Sequence, residues 1–91
     1  ELLEKLKASL GREDGMACYG EKEVGEAIEM NAVEKLLVID EVVRKHKKVS
    51  DLMQAADERG AEVVIFDSHD DAGKEMEDFK IAALLRFKTK Y

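Results

Sequence analysis

The amino-acid sequence predicts an α/β protein, a three-layer α/β/α sandwich with a mixed four-stranded sheet. Two features lead to this prediction. Apolar residues recur at helical spacing in several segments, and short runs that are apolar at consecutive positions alternate with those segments. Because a strand of consecutive apolar residues must be covered on both faces, helices are expected on both sides of the sheet. The predicted order of elements is α-β-α-β-α-β-α-β.

The first helix and the first strand are predicted within residues 2–19. The apolar face of the helix is formed by Leu2, Leu3, Leu6 and Leu10, and Gly11 is expected to end the helix. The polar residues 12–15 follow as a turn. The short apolar run 16–19 then predicts an edge strand, which favours a mixed sheet over a fully parallel one.

The second helix is predicted to begin at Gly20, since glycine is tolerated at the N-cap. Glu21 and Glu23 suit the positive end of its dipole. Its inward face is formed by Val24, Ala27 and Ile28. Asn31 suits the left-handed residue that ends a helix. The segment 33–39, which ends in the apolar run 36–39, is then the first central strand.

A third helix and a second central strand follow. The stretch 41–48 is the most basic part of the chain and is interpreted as a helical turn plus a loop. Ser50 is expected to cap the next helix and Gly60 to end it. The inward face of this helix is formed by Leu52, Met53 and Ala56. The run 62–66, apolar after its first residue, predicts the second central strand.

A polar loop, a short helix and a final strand complete the pattern. The loop is expected at 67–71. Three apolar residues at helical spacing predict the short helix, namely Ala72, Met76 and Phe79. The run 81–87 predicts the last strand, and residues 88–91 are expected to trail away from it.

Length and charge limit the class of protein. With 91 residues the chain is expected to form one domain, 1–91, and its first residue, Glu1, suggests a piece of a longer protein. The net charge of −6 disfavours a protein that tracks nucleic-acid phosphates. No apolar stretch approaches the roughly 20 residues of a membrane span. The charge at the start of the chain is wrong for a secretory signal.

The single cysteine, Cys18, permits no internal disulfide, which fits a reducing cytoplasm. It precedes a predicted helix but is flanked by apolar residues. A buried structural thiol is therefore favoured over a reactive one.

The loop 67–71 is the strongest candidate for chemistry. Asp67, His69 and Asp70 follow a buried strand, where ligands often bind in open α/β sheets, and they could hold a divalent metal. The favoured interpretation is nonetheless an ordinary loop and helix cap, because no second histidine is at hand. A small metal-dependent enzyme built on these residues remains the third hypothesis for function.

Other candidate sites are weaker. The basic run around His46 is interpreted as a solvated loop rather than an RNA site, because no aromatic residue is interleaved for stacking on bases. Asp40 and Glu41 could form a carboxylate pair, but they more simply return the chain to solvent. The glycines form no phosphate-binding loop, and no serine has the setting of a catalytic nucleophile.

Several short motifs occur in a fixed order between residues 16 and 87. They are Tyr19-Gly20-x-x-Glu23-Val24-x-x-Ala27, Ala32-Val33-x-x-Leu36-Leu37, Gly60-Ala61-Glu62-Val63, then His69 and Gly73, and finally Ile81-Ala82-Ala83-x-Leu85-Arg86-Phe87. In this order and spacing they resemble the C-terminal domain of the Pelota proteins, which are related to the class-1 translation release factors of archaea and eukaryotes. The resemblance implies a fold of the ribosomal L7Ae/L30e type.

The chain departs from the family pattern at two places. Asn31 stands where the family usually has glycine, and Phe79-Lys80 stands where the family has Gly-Gly before the last strand. A third comparison concerns length: release factors carry a sizeable insertion before the helix at Ser50, and this chain has a short segment there. The short form is similar to Pelota.

The resemblance implies a function in ribosome rescue and mRNA surveillance. The domain is expected to be the C-terminal one of a three-domain, cytoplasmic protein, in a family also described as cell-division proteins. It is expected to dock onto a translational GTPase of the elongation-factor-1α type, onto the ABC-type ATPase that recycles ribosomes, and thereby onto the ribosome. No catalysis and no cofactor are implied here, because the endonuclease activity suggested for the family would lie in another domain.

The resemblance also implies which residues bind the partners. The start of the second helix supplies Tyr19, Gly20, Glu23 and Val24, and the end of the last strand supplies Leu85, Arg86 and Phe87. The alternative is that Tyr19 and Phe87 are core residues. The alternative function is an L7Ae-like RNA-binding domain, for which the expected basic, kink-turn-binding surface is not found in the sequence.

Overall fold

The computed structural model describes residues 2–88 and contains five helices and four strands in that range. The helices are α1 (Leu2–Arg12), α2 (Glu21–Glu29), α3 (Asp40–Lys45), α4 (Lys47–Glu58) and α5 (Asp71–Met76). The strands are β1 (Ala17–Tyr19), β2 (Val33–Ile39), β3 (Glu62–Phe66) and β4 (Ile81–Leu85). Every predicted element is present. The basic stretch after β2 forms an additional helix, α3, where the sequence predicts a turn and a loop.

The four strands form one mixed sheet in the order β1-β4-β2-β3. β2 and β3 are parallel, whereas β4 is antiparallel to both of its neighbours. The prediction of a mixed four-stranded sheet is therefore confirmed, as is the prediction that β1 is an edge strand. The prediction that β3 is central is wrong, because β3 forms the other edge and β4 lies in the centre beside β2.

The edge position of β3 has a visible effect on burial. All five residues of β4 are buried, whereas Ile65 of β3 leaves 54% of its surface exposed. Helices cover the two faces of a strand but not its open edge. A run of apolar residues therefore indicates that both faces of a strand are covered. It does not indicate whether the strand lies in the centre of the sheet or at an edge.

Two separate apolar cores confirm the three-layer sandwich. One core lies between the sheet and helices α2 and α4, and includes Val24, Ile28, Leu36, Val38, Val49 and Ile81. The other lies between the opposite face and helices α1 and α5, and includes Leu3, Leu6, Leu37, Ile39 and Met76. From Leu36 to Ile39, consecutive residues of β2 alternate between the two cores, as the pleat of a strand requires.

The predicted end of α1 and the predicted start of α4 are wrong. α1 passes Gly11 and ends at Arg12, and the left-handed residue that follows is Glu13, with φ 53°. α4 begins at Lys47, so that Ser50 lies inside the helix, and His46 takes the N-cap position without a side-chain cap hydrogen bond. After α1, the N–H groups of Glu13 and Asp14 donate to the carbonyl oxygens of Leu10 and Ser9, so the turn forms beyond Gly11. Before α4, His46 is the one residue between the two helices, so the end of α3 sets the start of α4 and Ser50 does not.

The left-handed turn at Asn31 is confirmed, with φ 58°. The turn before β4 forms without the family's Gly-Gly, because Lys80 itself adopts φ 66°. The N–H groups of Phe79 and Lys80 both donate to the carbonyl oxygen of Met76, at 3.0 and 2.8 Å. Phe79 therefore lies in this turn, whereas its spacing in the sequence predicts a position on α5. The segment predicted to trail away lies outside the described residues after Lys88.

Candidate protein-docking site

The start of α2 presents Tyr19 to solvent. Gly20 is the N-cap residue of α2, as predicted, and its φ of 92° is a conformation that a side chain would strain. Its N–H donates to the carbonyl oxygen of Ile81 at 2.9 Å, and its own carbonyl oxygen accepts from the N–H of Val24 at 3.0 Å. These bonds join β1, β4 and α2. They fix the position from which Tyr19 projects.

The ring of Tyr19 is half-exposed and packs edge-on against Phe79, with ring centroids 5.4 Å apart. Tyr19 leaves 49% of its surface exposed, so the interpretation of this tyrosine as a core residue is wrong. Beside it lies a shallow cleft of about 180 Å³ that Leu10, Glu13 and Glu23 help to line. An aromatic ring held by a second ring is an effective contact for a partner, because little side-chain freedom is lost on binding.

The other two predicted residues of the α2 start differ in accessibility. Glu23 is exposed on the first turn of the helix. Val24 is completely buried in the core under α2. Val24 therefore supports the helix from beneath, and its side chain is not available to a partner in this conformation.

The end of β4 forms a second exposed patch. β4 ends at Leu85, which is buried, and the chain then bends through Arg86 and Phe87. Phe87 leaves 43% of its surface exposed, so it too is not a core residue. The guanidinium of Arg86 donates to the carbonyl oxygen of Val33, at 2.7 Å from Nη2 and 3.3 Å from Nε. Arg86 therefore ties the end of β4 to the start of β2.

The predicted binding residues thus form two separate patches, one at the start of α2 and one at the end of β4. Tyr19 pairs with Ala82 near the start of β4, and Arg86 follows the last residue of the same strand. At a rise of about 3.3 Å per residue, these points are on the order of 13 Å apart along the strand. One large partner can cover both patches, and two partners can each take one.

Two residues beside these patches are not indicated as site residues by the sequence. Phe79 supports Tyr19, although its spacing predicts an inward-facing helical residue. Arg59 donates to the carbonyl oxygen of Glu29 at 3.2 Å and to the side-chain oxygen of Asn31 at 3.0 Å, and its own carbonyl oxygen lies 3.5 Å from Arg86 Nη2. Its position after the end of α4 carries no periodic pattern that could have identified it.

Replacement of Arg86 by alanine is expected to lower the free energy of unfolding by about 1–2 kcal/mol, because charge-assisted bonds to a backbone carbonyl are lost. Chemical denaturation measures this change. Arg44→Ala is the matched control, since the exposed Arg44 pairs with Asp40 at 3.6 Å and such a pair contributes little. Equal stability of the two variants would contradict a structural role for Arg86.

The candidate metal ligands form a local turn. The carboxylate of Asp67 accepts from the backbone N–H of His69 at 2.8 Å, and the same oxygen lies 3.1 Å from His69 Nδ1. Asp70 takes the N-cap position of α5. Within the part of the chain that the structure describes, no three His, Cys, Asp or Glu side chains are placed to hold a metal ion. The arrangement is that of a loop and a helix start.

Asp40 joins the ends of the two parallel strands. Its carboxylate accepts from the backbone N–H of Ser68 at 3.0 Å. Desolvation acts to raise the pKa of Asp40, but the hydrogen bonds from Ser68, the N–H of Glu41 and the charge of Arg44 together hold it below its ordinary value. Asp40 is therefore a structural carboxylate that connects β2 to the loop after β3.

Cys18 is buried on β1, as predicted, and burial raises the pKa of its thiol to about 12, with Glu23 and Glu26 adding repulsion of the thiolate. We expect the native chain to resist iodoacetamide at pH 8 while the chain in denaturant reacts fully. Mass spectrometry after timed quenching measures this difference. Labelling of the native chain at the rate of the unfolded chain would show that Cys18 is accessible.

Comparisons with known proteins give consistent results. A family model described as eRF1 domain 3 matches residues 1–89. A protein pelota homolog from Thermococcus kodakarensis is 40% identical over 93 residues, which covers 99% of this chain. Within residues 2–88, no helix is long and apolar enough to cross a lipid bilayer.

Solved structures of similar proteins share the fold. Archaeal Pelota, in a model of ribosome-bound archaeal Pelota and ABCE1, has a TM-score of 0.86 and 40% identity over 98% of this chain. Dom34 of S. cerevisiae, a translation termination-like factor involved in RNA quality control pathways and interacting with Hbs1, has a TM-score of 0.87 and 26% identity over 97%. This chain spans 26% of the length of each of these three relatives.

Proposed function

Because this chain belongs to the eRF1 domain 3 family, as its sequence motifs predict, we propose that it is the protein-docking module of a ribosome-rescue factor that acts on stalled ribosomes in the cytoplasm. Its partners are a translational GTPase of the elongation-factor-1α type and the ABC-type ATPase that splits ribosomes. The module binds these proteins and catalyses no reaction itself. A similar yeast protein that interacts with Hbs1 and a similar archaeal protein that is ribosome-bound together with ABCE1 support this proposal.

The observation that carries the proposal is the exposure of Tyr19 at the start of α2. About half of the surface of Tyr19 faces solvent, and Phe79 packs against its ring. Tyrosine is one of the residue types that contribute most to protein interfaces. Glu13 and Glu23 line the cleft beside it, and their negative charge would steer the approach of a basic partner surface.

Tyr19→Ala is expected to weaken binding of an archaeal elongation factor 1α by about tenfold or more, because the ring is the largest exposed apolar group of this patch. Isothermal titration of the GTPase, loaded with a non-hydrolysable GTP analogue, into the 91-residue chain measures the change. Phe87→Ala tests the second patch in the same way, and a loss in both variants would indicate a partner that covers both patches.

Ile65→Ala is the matched control for Tyr19→Ala. Ile65 is as exposed as Tyr19, but β3 and β1 are the opposite edges of the sheet. Binding should therefore be unchanged in this variant. If Tyr19→Ala, folded by circular dichroism, binds the GTPase as the unchanged chain does, the assignment of this surface is wrong. If the unchanged chain binds neither the GTPase nor the ABC-type ATPase, the proposed function is wrong.

A further inference from the structure

The basic stretch after β2 forms a sharp corner between two helices. α3 ends at Lys45, α4 begins at Lys47, and His46 between them has an extended backbone, with φ −128° and ψ 107°. All five side chains from Arg44 to Lys48 are exposed. We propose that this basic corner, defined as residues 44–48, binds the phosphate backbone of RNA.

The basic corner differs in charge from the rest of the chain. Its arginine and three lysines contribute four positive charges to a net charge of −6, so the other 86 residues together carry −10. The basic corner is therefore a local concentration of positive charge on a chain whose remaining residues are net negative. Such a cluster of basic side chains can bind a polyanion at one place on the surface, although the total charge of the chain is negative.

The positive charges of the basic corner are only partly neutralised within the protein. Arg44 lies 3.6 Å from Asp40 and Lys47 lies 3.7 Å from Asp51, and both pairs are open to solvent. Among residues 2–88, no carboxylate lies within ion-pair distance of Lys45 or Lys48. Lys48 lines the groove between α2 and α4, whose other wall carries Glu21 and Glu26. Exposed pairs are weak, so phosphates can compete with them.

The start of α4 adds a second attraction for an anion. Lys47 and Lys48 occupy its first turn, which contains no acidic residue, and His46 provides no side-chain cap. Lysines at the positive end of a helix are unfavourable in the free protein. A bound phosphate reverses this effect, because it pairs with the lysines and with the helix end at once.

The composition of the basic corner favours RNA over an acidic protein. The large apolar side chains that the described part of the chain exposes are Tyr19, Met30, Ile65 and Phe87, and none belongs to the corner. Protein interfaces need an apolar centre and are depleted of lysine. Phosphate contacts need only cationic side chains and backbone N–H groups. The corner thus supplies what a phosphate backbone requires and lacks what a protein interface requires.

The test is a salt titration with a single-stranded RNA of about 20 nucleotides that carries fluorescein. The unchanged 91-residue chain should bind at about 50 mM salt, with an affinity that falls steeply toward about 200 mM. The variant Lys45→Glu/Lys47→Glu/Lys48→Glu should lose at least tenfold in affinity. Three lost phosphate contacts, at about 0.7 each for a single strand, should also reduce the slope of log K against log salt by about 2.

Lys5→Glu/Lys74→Glu/Lys88→Glu is the matched control. It changes the net charge equally, at exposed positions on α1, on α5 and after β4. The control should retain RNA affinity within about threefold, and circular dichroism should show both variants folded, since glutamate suits the start of α4. Three results would each overturn the inference: no binding by the unchanged chain at the low salt concentration, an equal loss in the control, or competition by poly-glutamate as effective as by unlabelled RNA.

The RNA test is independent of the docking function. No GTPase and no ATPase is present in the titration, so its failure leaves the proposed protein docking untouched. Conversely, Tyr19→Ala should leave the RNA affinity unchanged, because Tyr19 is not part of the basic corner.

Discussion

Replacement of Gly73 by alanine is expected to lower the free energy of unfolding by about 3 kcal/mol or more. Gly73 is buried in α5, against the loop that leaves β3. A Cβ atom at this position would lie 1.8 Å from the carbonyl oxygen of Asp67 and 2.5 Å from its carbonyl carbon. Both atoms belong to the backbone, and the loop is held in place by the bond from Ser68 to Asp40. The loop or the helix must therefore shift as a whole.

Gly25→Ala provides the control for Gly73→Ala. Gly25 lies inside α2, and a Cβ there would meet only the end of the Leu52 side chain, at 3.6 Å. Alanine should raise stability by about 0.5–1 kcal/mol, because glycine is unfavourable in a helix interior. Urea denaturation of both variants measures the difference. Comparable stabilisation by the two substitutions would mean that α5 does not approach the loop as closely as described.

Ile81→Ala is expected to lower the free energy of unfolding by about 2–5 kcal/mol. Ile81 is 1% exposed at the start of the central strand β4 and belongs to the core under α2 and α4. The substitution removes most of a buried side chain and leaves a cavity between neighbours that are themselves closely packed. The expected loss is a large part of the stability of a domain of this size.

Ile65→Ala is the control for Ile81→Ala as well. Both residues are register partners of Val38, one on each side of β2, so the comparison concerns one row of the sheet. Because Ile65 lies on the open edge strand, its truncation should cost about 1 kcal/mol or less. Thermal or urea denaturation compares the two. A larger loss for Ile65→Ala would mean that β3 is the central strand, as its sequence pattern predicts.

The two patches depend on the same framework. Gly20 connects β1, β4 and α2 through backbone hydrogen bonds, and Arg86 connects β4 to β2. Buried residues such as Val24 and Leu85 hold these connections from beneath. Substitutions at these four positions are therefore expected to lower stability and, through it, partner binding, whereas substitution of the exposed Tyr19 acts mainly on binding.

Much of the fold could be predicted because it depends on local pattern. The spacing of Val24, Ala27 and Ile28 identifies a helix and its inward face. The unbroken apolar run 36–39 in β2 identifies a strand covered on both faces, and the structure has helices on both faces. The left-handed turn at Asn31 follows from the preference of one residue type. Each of these features depends on a few neighbouring residues, so a single sequence is sufficient to predict it.

The candidate site could be predicted only in part. The sequence predicts that Tyr19 directly precedes the N-cap of the second helix, and the family resemblance indicates Tyr19 and Phe87 as binding residues. The exposure of these two rings, the burial of Val24 and the support from Phe79 depend on packing between distant segments. The basic run around His46 illustrates the same limit, because its sequence indicates a solvated loop whereas the structure bends it into a corner between two helices.

The sequence by itself determined the fold class, the number of strands, their order along the chain and the family of this protein, because periodicity and motif spacing are properties of the chain itself. Only the tertiary structure decided that β4 lies in the centre of the sheet and β3 at its edge, since pairing depends on contacts between distant residues. The tertiary structure also divided the predicted binding residues into two patches at opposite ends of β4. The physical reason is that the pleat and register of a sheet, set by all four strands together, decide which side chains reach the surface and where.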